Sequence, residues 1–470
     1  MAVPRKNTEH RYNCPGRRGA AFAVPRAYRR PTLMGNGPFV IFDKSAIQSF
    51  SLDEAALFGQ FYWCNLTPMF FVETLADLEK KVRQGQTPEQ VVGTIARKTV
   101  NFSADPNADY RRLLLADLMG DSVLMDGRPV VAGGRPVKSR GKRGFVYERS
   151  PETEALDRWQ RHRFLEIERD IAKHWRESLA KMKIRRLDVR KMFDKETRPR
   201  DLKQVHQWAV QFTHETGAAF DEALDVIRIE QKYRPAIIRR FIAAGQPPIS
   251  TFAPFAAYCV TVTVFFQLAV SLDFISGDRA SNVADIGYLY YLPFCFVFTS
   301  NDHLHAKTVP LFLRPEQRFI AGTEMKADLK QLDAYFSALP AEVLDRGLMM
   351  FDPPDDDKYL TTRLWREFLP GWTPKAPDRP PRQPDPQPDA KLLEEFRAAE
   401  KAAATDEHVD TESADFIIIK RAMPVKMGKW RIVAQDVAER SWAAEKNERA
   451  RDAAERKARD EAGEREENQS

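Results

Sequence analysis

Phe39-Val40-Ile41-Phe42-Asp43 is an apolar run of strand length that stops at a carboxylate, and Phe296-Val297-Phe298-Thr299-Ser300-Asn301-Asp302 stops just short of another. In an open parallel α/β sheet, ligands bind just outside the carboxyl ends of the strands, so acids placed there can converge on one site. Core packing asks for no aspartate at either position. The pair points to a carboxylate site for a hard divalent cation, in a central, mostly parallel sheet flanked by helices.

Working outward from Asp43, Ser51-x-x-Glu54 is a capping-box pattern ahead of Ala55, Leu57 and Phe58, which predicts a helix from about Ser51. Leu66-Thr67-Pro68 reads as a short strand or turn. Phe71, Leu75, Leu78 and Val82 then recur at helical spacing over 70–82. The stretch from about 83 to 248 reads as a mostly helical insertion, with 121–144 as a long exposed Gly-rich, basic loop. A helix is expected from Ser150-Pro151, carrying Trp159 and Trp175, and two or three more over 202–244. These tryptophans, with Trp208, are assigned to packing. Asp285–Leu292 is predicted to be a short helix, and Phe294–Thr299 a strand.

The 470-residue chain has 43% hydrophobic residues, enough for a sizeable core, and 30% charged residues, which suggests solvated extensions. Its domains are read as a basic irregular arm over 1–36, an α/β domain over 37–345 that contains the insertion, a Pro-rich linker over 346–390, and a charged, partly helical C-terminal extension over 391–470. Short strands are expected there at Phe416–Ile419 and Trp430–Val433. Residues 1–30 and 440–470 lack the apolar periodicity that offsets ordering entropy, and are expected to be mobile or extended.

The formal charge of +6 is unevenly spread. Residues 1–36 hold eight Lys/Arg against Glu9 alone, and Lys181–Lys203 holds ten against four acids. Such clusters suit a polyanion, with nucleic acid favoured over an anionic membrane surface or simple solubility. Four cysteines without a CxxC pair argue against a zinc finger or a disulfide framework, and a cytoplasmic location is the simplest expectation. The basic N-terminus has no apolar h-region of a secretory signal. Ile249–Leu272 is 24 residues without charge, long enough to span a bilayer. Pro254, Gln267 and several Thr/Ser favour a buried core helix, and no membrane partner is favoured.

Four acids make sense together: Asp43 after the first strand, Glu73 in the first turn of its helix, Asp285 opening a later helix, and Asp302 after the next strand. Three or four carboxylates can hold magnesium or manganese with open water positions, and such a metal activates water against a phosphodiester. The order resembles the PIN-like nuclease domain, through Phe42-Asp43-Lys44-Ser45-Ala46, Thr67-Pro68-Met69-Phe70-Phe71-Val72-Glu73-Thr74-Leu75, and Asp285 through Phe298-Thr299-Ser300-Asn301-Asp302. The resemblance covers roughly 37–82 and 270–325. With it, the leading function is a metal-dependent endonuclease, a hydrolase using Mg²⁺ or Mn²⁺, with RNA favoured as substrate and DNA left open. The resemblance implies Asp43, Glu73, Asp285 and Asp302 as metal-binding acids, with Ser300 beside the metal. The long separation of Glu73 from Asp285 departs from a compact member of that family.

Each residue also has a plainer role open to it. Asp43 and Asp285 can be helix N-caps, Glu73 can complement a helix N-terminus, and Asn301-Asp302 is ordinary turn chemistry. Asp77 and Asp278 are reserve ligands. Arg279 could hold a scissile phosphate or pair with Asp278 or Asp285. His303 and His305 are read as phosphate contacts or a satisfied surface pair, and zinc is disfavoured without other soft ligands. Tyr288, Tyr290 and Tyr291 could stack bases or fill the core. The competing function is a non-catalytic PIN-like scaffold that binds nucleic acid, or a protein through its C-terminal extension. A third is a membrane-associated protein anchored through 249–272.

Overall fold

The computed structural model describes residues 37–375, apart from 83, 100–103, 132–133, 148–149, 182–185, 216–218 and 280, and beyond them 394–395, 398–399, 416–419, 424–435 and 439. The basic arm over 1–36, the Pro-rich stretch from 376 and the tail over 440–470 lie outside the described residues, as does the side chain of Trp175.

Five short strands form one parallel sheet: β1 (Phe39–Phe42), β2 (Trp63–Leu66), β3 (Ala104–Pro106), β4 (Val297–Ser300) and β5 (Arg318–Ala321). Their order is β3-β2-β1-β4-β5, and every neighbouring pair is parallel. Parallel sheets are covered on both faces, and this one obeys that rule. Successive residues of β1 alternate between two cores, Val40 and Phe42 entering one and Ile41 the other. Along β4, Val297 and Phe298 divide in the same way.

The sheet order reverses at β1, which makes the carboxyl ends of β1 and β4 the topological switch point. Their register pairs Phe42 with Thr299, and the Asp43 N–H donates to the Thr299 carbonyl at 3.2 Å. Asp43 and Ser300 therefore leave the sheet side by side.

The helices around this edge are α1 (Lys44–Ser49), α2 (Leu52–Phe61), α3 (Pro68–Ala76), α4 (Pro254–Ser271), α5 (Ser281–Gly287), α6 (His303–Phe312) and α7 (Gly322–Ser337). The capping box ahead of α2 is complete: Ser51 accepts from the Glu54 N–H, and Glu54 accepts from the Ser51 N–H. The helix expected over 70–82 is two, α3 and Leu78–Val82. The uncharged 249–272 run also divides, at Ala253 just before Pro254, because proline disfavours helical backbone in the residue ahead of it. Of the described helices α4 alone is long and apolar enough to cross a membrane, and 72% of it is buried inside the protein. It is a core helix here, packed among Phe255, Val260, Phe265 and Leu268 of its own length and Phe294 beyond.

Four sequence expectations change. The 83–248 stretch is not wholly an insertion, because Ala104–Pro106 supplies an edge strand of the main sheet. The loop expected over 121–144 contains half of an antiparallel hairpin, Gly134–Ser139 with Lys142–Tyr147, to which Phe416–Ile419 adds in parallel. The linker expected from 346 is packed structure as far as about 372. Leu348, Phe351, Tyr359, Leu360, Leu364 and Trp365 are all buried in the core around β1 and α2. Within the extension expected over 391–470, Met427, Trp430 and Ile432 are buried in that same core.

Candidate carboxylate site

Asp43 is the N-cap of α1 and is 2% exposed. Its carboxylate accepts from the Ala46 N–H at 2.9 Å, from Ser45 Oγ at 2.7–2.8 Å and from Ser300 Oγ at 2.7 Å. The N-cap role open to Asp43 is thus realised. Ser45 Oγ also accepts from the Asn301 N–H at 3.0 Å, which ties the loop after β4 to the start of α1.

His305, on α6, is wholly buried. Its Nε2 lies 2.7 Å from the Asp285 carbonyl oxygen, which can only accept, so Nε2 carries a proton. Its Nδ1 lies 2.8 Å from Ser300 Oγ, whose one hydrogen is directed to Asp43 and which also accepts from the Asp302 N–H at 2.9 Å. Nδ1 must therefore donate as well, and counting hydrogens assigns an imidazolium. Burial pushes the His305 pKa down, but Asp43 and the Asp285 carbonyl outweigh it and the net direction is upward. Burial likewise pushes Asp43 up, while His305, Ser45 and Ser300 bring it below the usual aspartate range. The result is a buried ion pair, Asp43 Oδ2 to His305 Nδ1 at 3.5 Å, bridged by Ser300.

His305 is thus a buried partner of Asp43 and not the surface residue expected, whereas His303 is exposed at the start of α6. Ser300, 2% exposed, is a bridge in the same network. Serine, histidine and aspartate meet here, but the serine lies between the other two and is enclosed. They do not form a nucleophile–base–orienter chain.

Glu73 lies in the second turn of α3, not its first. Its Oε2 accepts from the Tyr288 hydroxyl at 2.6 Å and, at a long 3.4 Å, from the Lys44 N–H. Burial raises its pKa, with Asp43 adding to that direction and Tyr288 and Lys44 opposing it. Tyr288 and Tyr291 are fully buried, and Tyr290 stacks on Tyr110 at 4.2 Å, so this cluster offers no base-stacking platform. Asp285 lies inside α5 and does not open it. Burial raises its pKa to about 7; His305 opposes, and the charges of Glu73, Asp302 and Asp43 reinforce the rise. Asp302 caps α6 through the Leu304 N–H at 2.6 Å.

The structure thus brings all four acids into one electrostatic neighbourhood, because α5 packs against both α3 and α6. Asp43 is saturated with hydrogen bonds. Both Asp285 oxygens, Glu73 Oε1 and Asp302 Oδ2 have no hydrogen-bond partner among the described residues. These open hard-oxygen donors are of the type magnesium and manganese take. Among the described residues, however, no group of three or more His, Cys, Asp or Glu is arranged to hold a metal ion.

Lys44 is the residue the sequence reading missed. It is 6% exposed, and its Nζ donates to the Glu73 carbonyl at 3.1 Å and pairs with Asp77. Asp77 is therefore neutralised by Lys44, and Asp278 and Arg279 are exposed, with no ion pair at Arg279 among the described residues. The signal was available: a lysine immediately after a strand-end aspartate, at the first position of a helix, sits beside whatever the aspartate binds. No family model, curated protein or solved structure matches the chain.

Proposed function

We propose that the chain is a PIN-like, metal-dependent endonuclease that hydrolyses RNA phosphodiester bonds at the carboxyl ends of β1 and β4. One observation carries this reading: four acids from four separate segments couple electrostatically at the switch point of a parallel sheet. Asp285, Glu73 and Asp302, with open oxygens, would hold Mg²⁺ or Mn²⁺, and Asp43 would border it. Such an ion, when bound, lowers the pKa of water and offsets charge on the phosphate. The chain's own part is positioning. Ser45, Ser300 and His305 fix the Asp43 carboxylate from three sides, and Tyr288 fixes Glu73. Burial first, and the neighbouring acids after it, raise Asp285 and Glu73, and a cation would relieve the repulsive part.

Asp302→Asn and Asp285→Asn test this. Each keeps the shape and removes a charge, and asparagine remains a good N-cap at 302. With Mg²⁺ or Mn²⁺ the parent should cleave single-stranded or structured RNA, EDTA should stop it, and both variants should lose cleavage while melting no lower than the parent. Asp43→Asn is the poorer probe, because it strands a buried imidazolium at a cost of about 3 kcal/mol or more. An Asp302→Asn protein that cleaves as fast as the parent, contaminants excluded, removes the site assignment.

A second reading, a non-catalytic PIN-like scaffold, is favoured by a specific observation. His305 and Lys44 already supply cations to Asp43 and Asp77, and no three acids stand at metal-holding geometry among the described residues. If no nucleic acid is cut with any metal while RNA or a protein partner binds tightly, that reading holds.

A further inference from the structure

We propose that residues 186–203 form a phosphate-binding ridge that holds a nucleic-acid strand and leads it to the carboxylate edge; the second half of that statement rests on the function proposed above. The segment carries seven Lys/Arg and four Asp/Glu. Its first residues are anchored to the end of α4 and the turn after it. The Leu187 N–H donates to Ser271 Oγ at 2.7 Å, and Arg186 pairs with Asp273 at 3.0 Å. Phe193 is buried against Trp208, and Leu187 and Val189 pack on the core around α4. The apolar side chains thus turn inward.

What they leave outside is basic. Arg190, Lys195, Arg198, Arg200 and Lys203 are exposed and form no ion pair among the described residues. Lys191 pairs with Asp188, and Asp201 caps the helix Leu202–His214, so two of the four acids are already engaged. Unpaired cations of this density attract a polyanion and add affinity through counterion release.

Position connects the ridge to the site at both ends. At one end, Arg186 lies beside Gly277, where an added Cβ would stand 3.4 Å from its guanidinium, and the chain runs from there through Asp278 and Arg279 into α5, which carries Asp285. At the other, the helix Leu202–His214 packs on α6, with His206 and Phe312 rings 4.5 Å apart, and α6 begins at Asp302. Phe312 is ten residues from Asp302, about 15 Å along a helix, a span of a few nucleotides. A bilayer fits this surface less well than a nucleic acid. Membrane-surface segments set apolar side chains beside their cations, and on this ridge Met192 alone is large, apolar and outward.

The test is binding of a short fluorescein-labelled single-stranded RNA to the full chain in EDTA, so that cleavage plays no part. The triple variant Lys195→Gln, Arg198→Gln, Lys203→Gln alters exposed side chains and should fold normally by circular dichroism. Its affinity should fall about tenfold or more, and the slope of log K against log salt should shrink by about 2. A control, Arg239→Gln, Lys330→Gln, Lys426→Gln, removes the same charge elsewhere and should bind within about twofold of the parent. Equal affinities of the two triples overturn the ridge. So does a parent that ignores RNA but binds phosphatidylserine vesicles through these lysines. Cleavage is scored separately, on the parent with Mg²⁺ in place of EDTA. Ridge-dependent binding without any cleavage would thus retire the nuclease and keep the ridge.

Discussion

Asp117 is a buried carboxylate outside the proposed site, and it shows what a single acid can cost this fold. Its Oδ2 accepts from the Ala256 N–H at 2.9 Å at the start of α4, and Arg240 donates to the Asp117 and Leu118 carbonyls. Burial nevertheless raises its pKa from 3.8 to about 6, against the Ala256 and Phe255 N–H groups and the charge of Arg240. The folded chain then binds this proton more tightly than the unfolded chain. Stability from this residue is greatest below about pH 4, falls as pH rises through about 6, and is level above that. The span amounts to about 3 kcal/mol at most. Asp117→Asn should flatten the fall between pH 4 and 6 in urea titrations. A variant with the parent's pH profile would show that another group sets it. At this scale the candidate acids were readable because strand-end aspartates have no packing motive. The pairing of His305 was not. Whether a histidine pairs with an acid 262 positions earlier depends on the β1–β4 register, which no local pattern encodes.

Elements follow their local signals where those signals are complete. The Ser51/Glu54 capping box is one, and Ser51→Ala should lower stability by about 1 kcal/mol, measured as a shifted urea midpoint at unchanged slope. An unchanged midpoint would mean that packing of α2 alone fixes its start. The turn at Arg140-Gly141 shows how a signal was overlooked. Both residues have positive φ, 49° and 79°, the pattern of a tight two-residue hairpin turn. The Gly-rich, basic run there read as loop because its cations hid the alternation that buries Val137 and Val146. Parallel addition of Phe416–Ile419 to that hairpin joins residues some 270 positions apart, and nothing near either strand announces it.

The whole molecule extends further along the chain than its composition suggests, and truncation tests this. Residues 348–372 supply buried Leu348, Phe351, Leu364 and Trp365. They also complete a buried polar set. Asp328 of α7, 4% exposed, accepts from the Leu360 and Thr361 N–H groups and from Thr361 Oγ1, and Thr361 Oγ1 lies 2.9 Å from the Tyr62 hydroxyl. The Trp365 indole donates to the Phe61 carbonyl at 2.7 Å. A chain ended at 345 would expose the face of α2 and α7 and leave the Asp328 carboxylate without these donors. Loss of one large buried aromatic costs about 3–5 kcal/mol, and the net stability of a domain is about 5–15 kcal/mol. Several such losses together exceed it, so the chain ended at 345 should fail to fold or should aggregate. A chain ended at 439 keeps Met427, Trp430, whose indole donates to Asp333 at 3.0 Å, and Ile432. It should melt within a few degrees of the full chain and keep any metal-dependent cleavage, since no candidate acid lies beyond Asp302. A soluble, cooperatively melting 1–345 chain would instead mean that the sheet and its switch-point acids form a unit independent of residues 346–470.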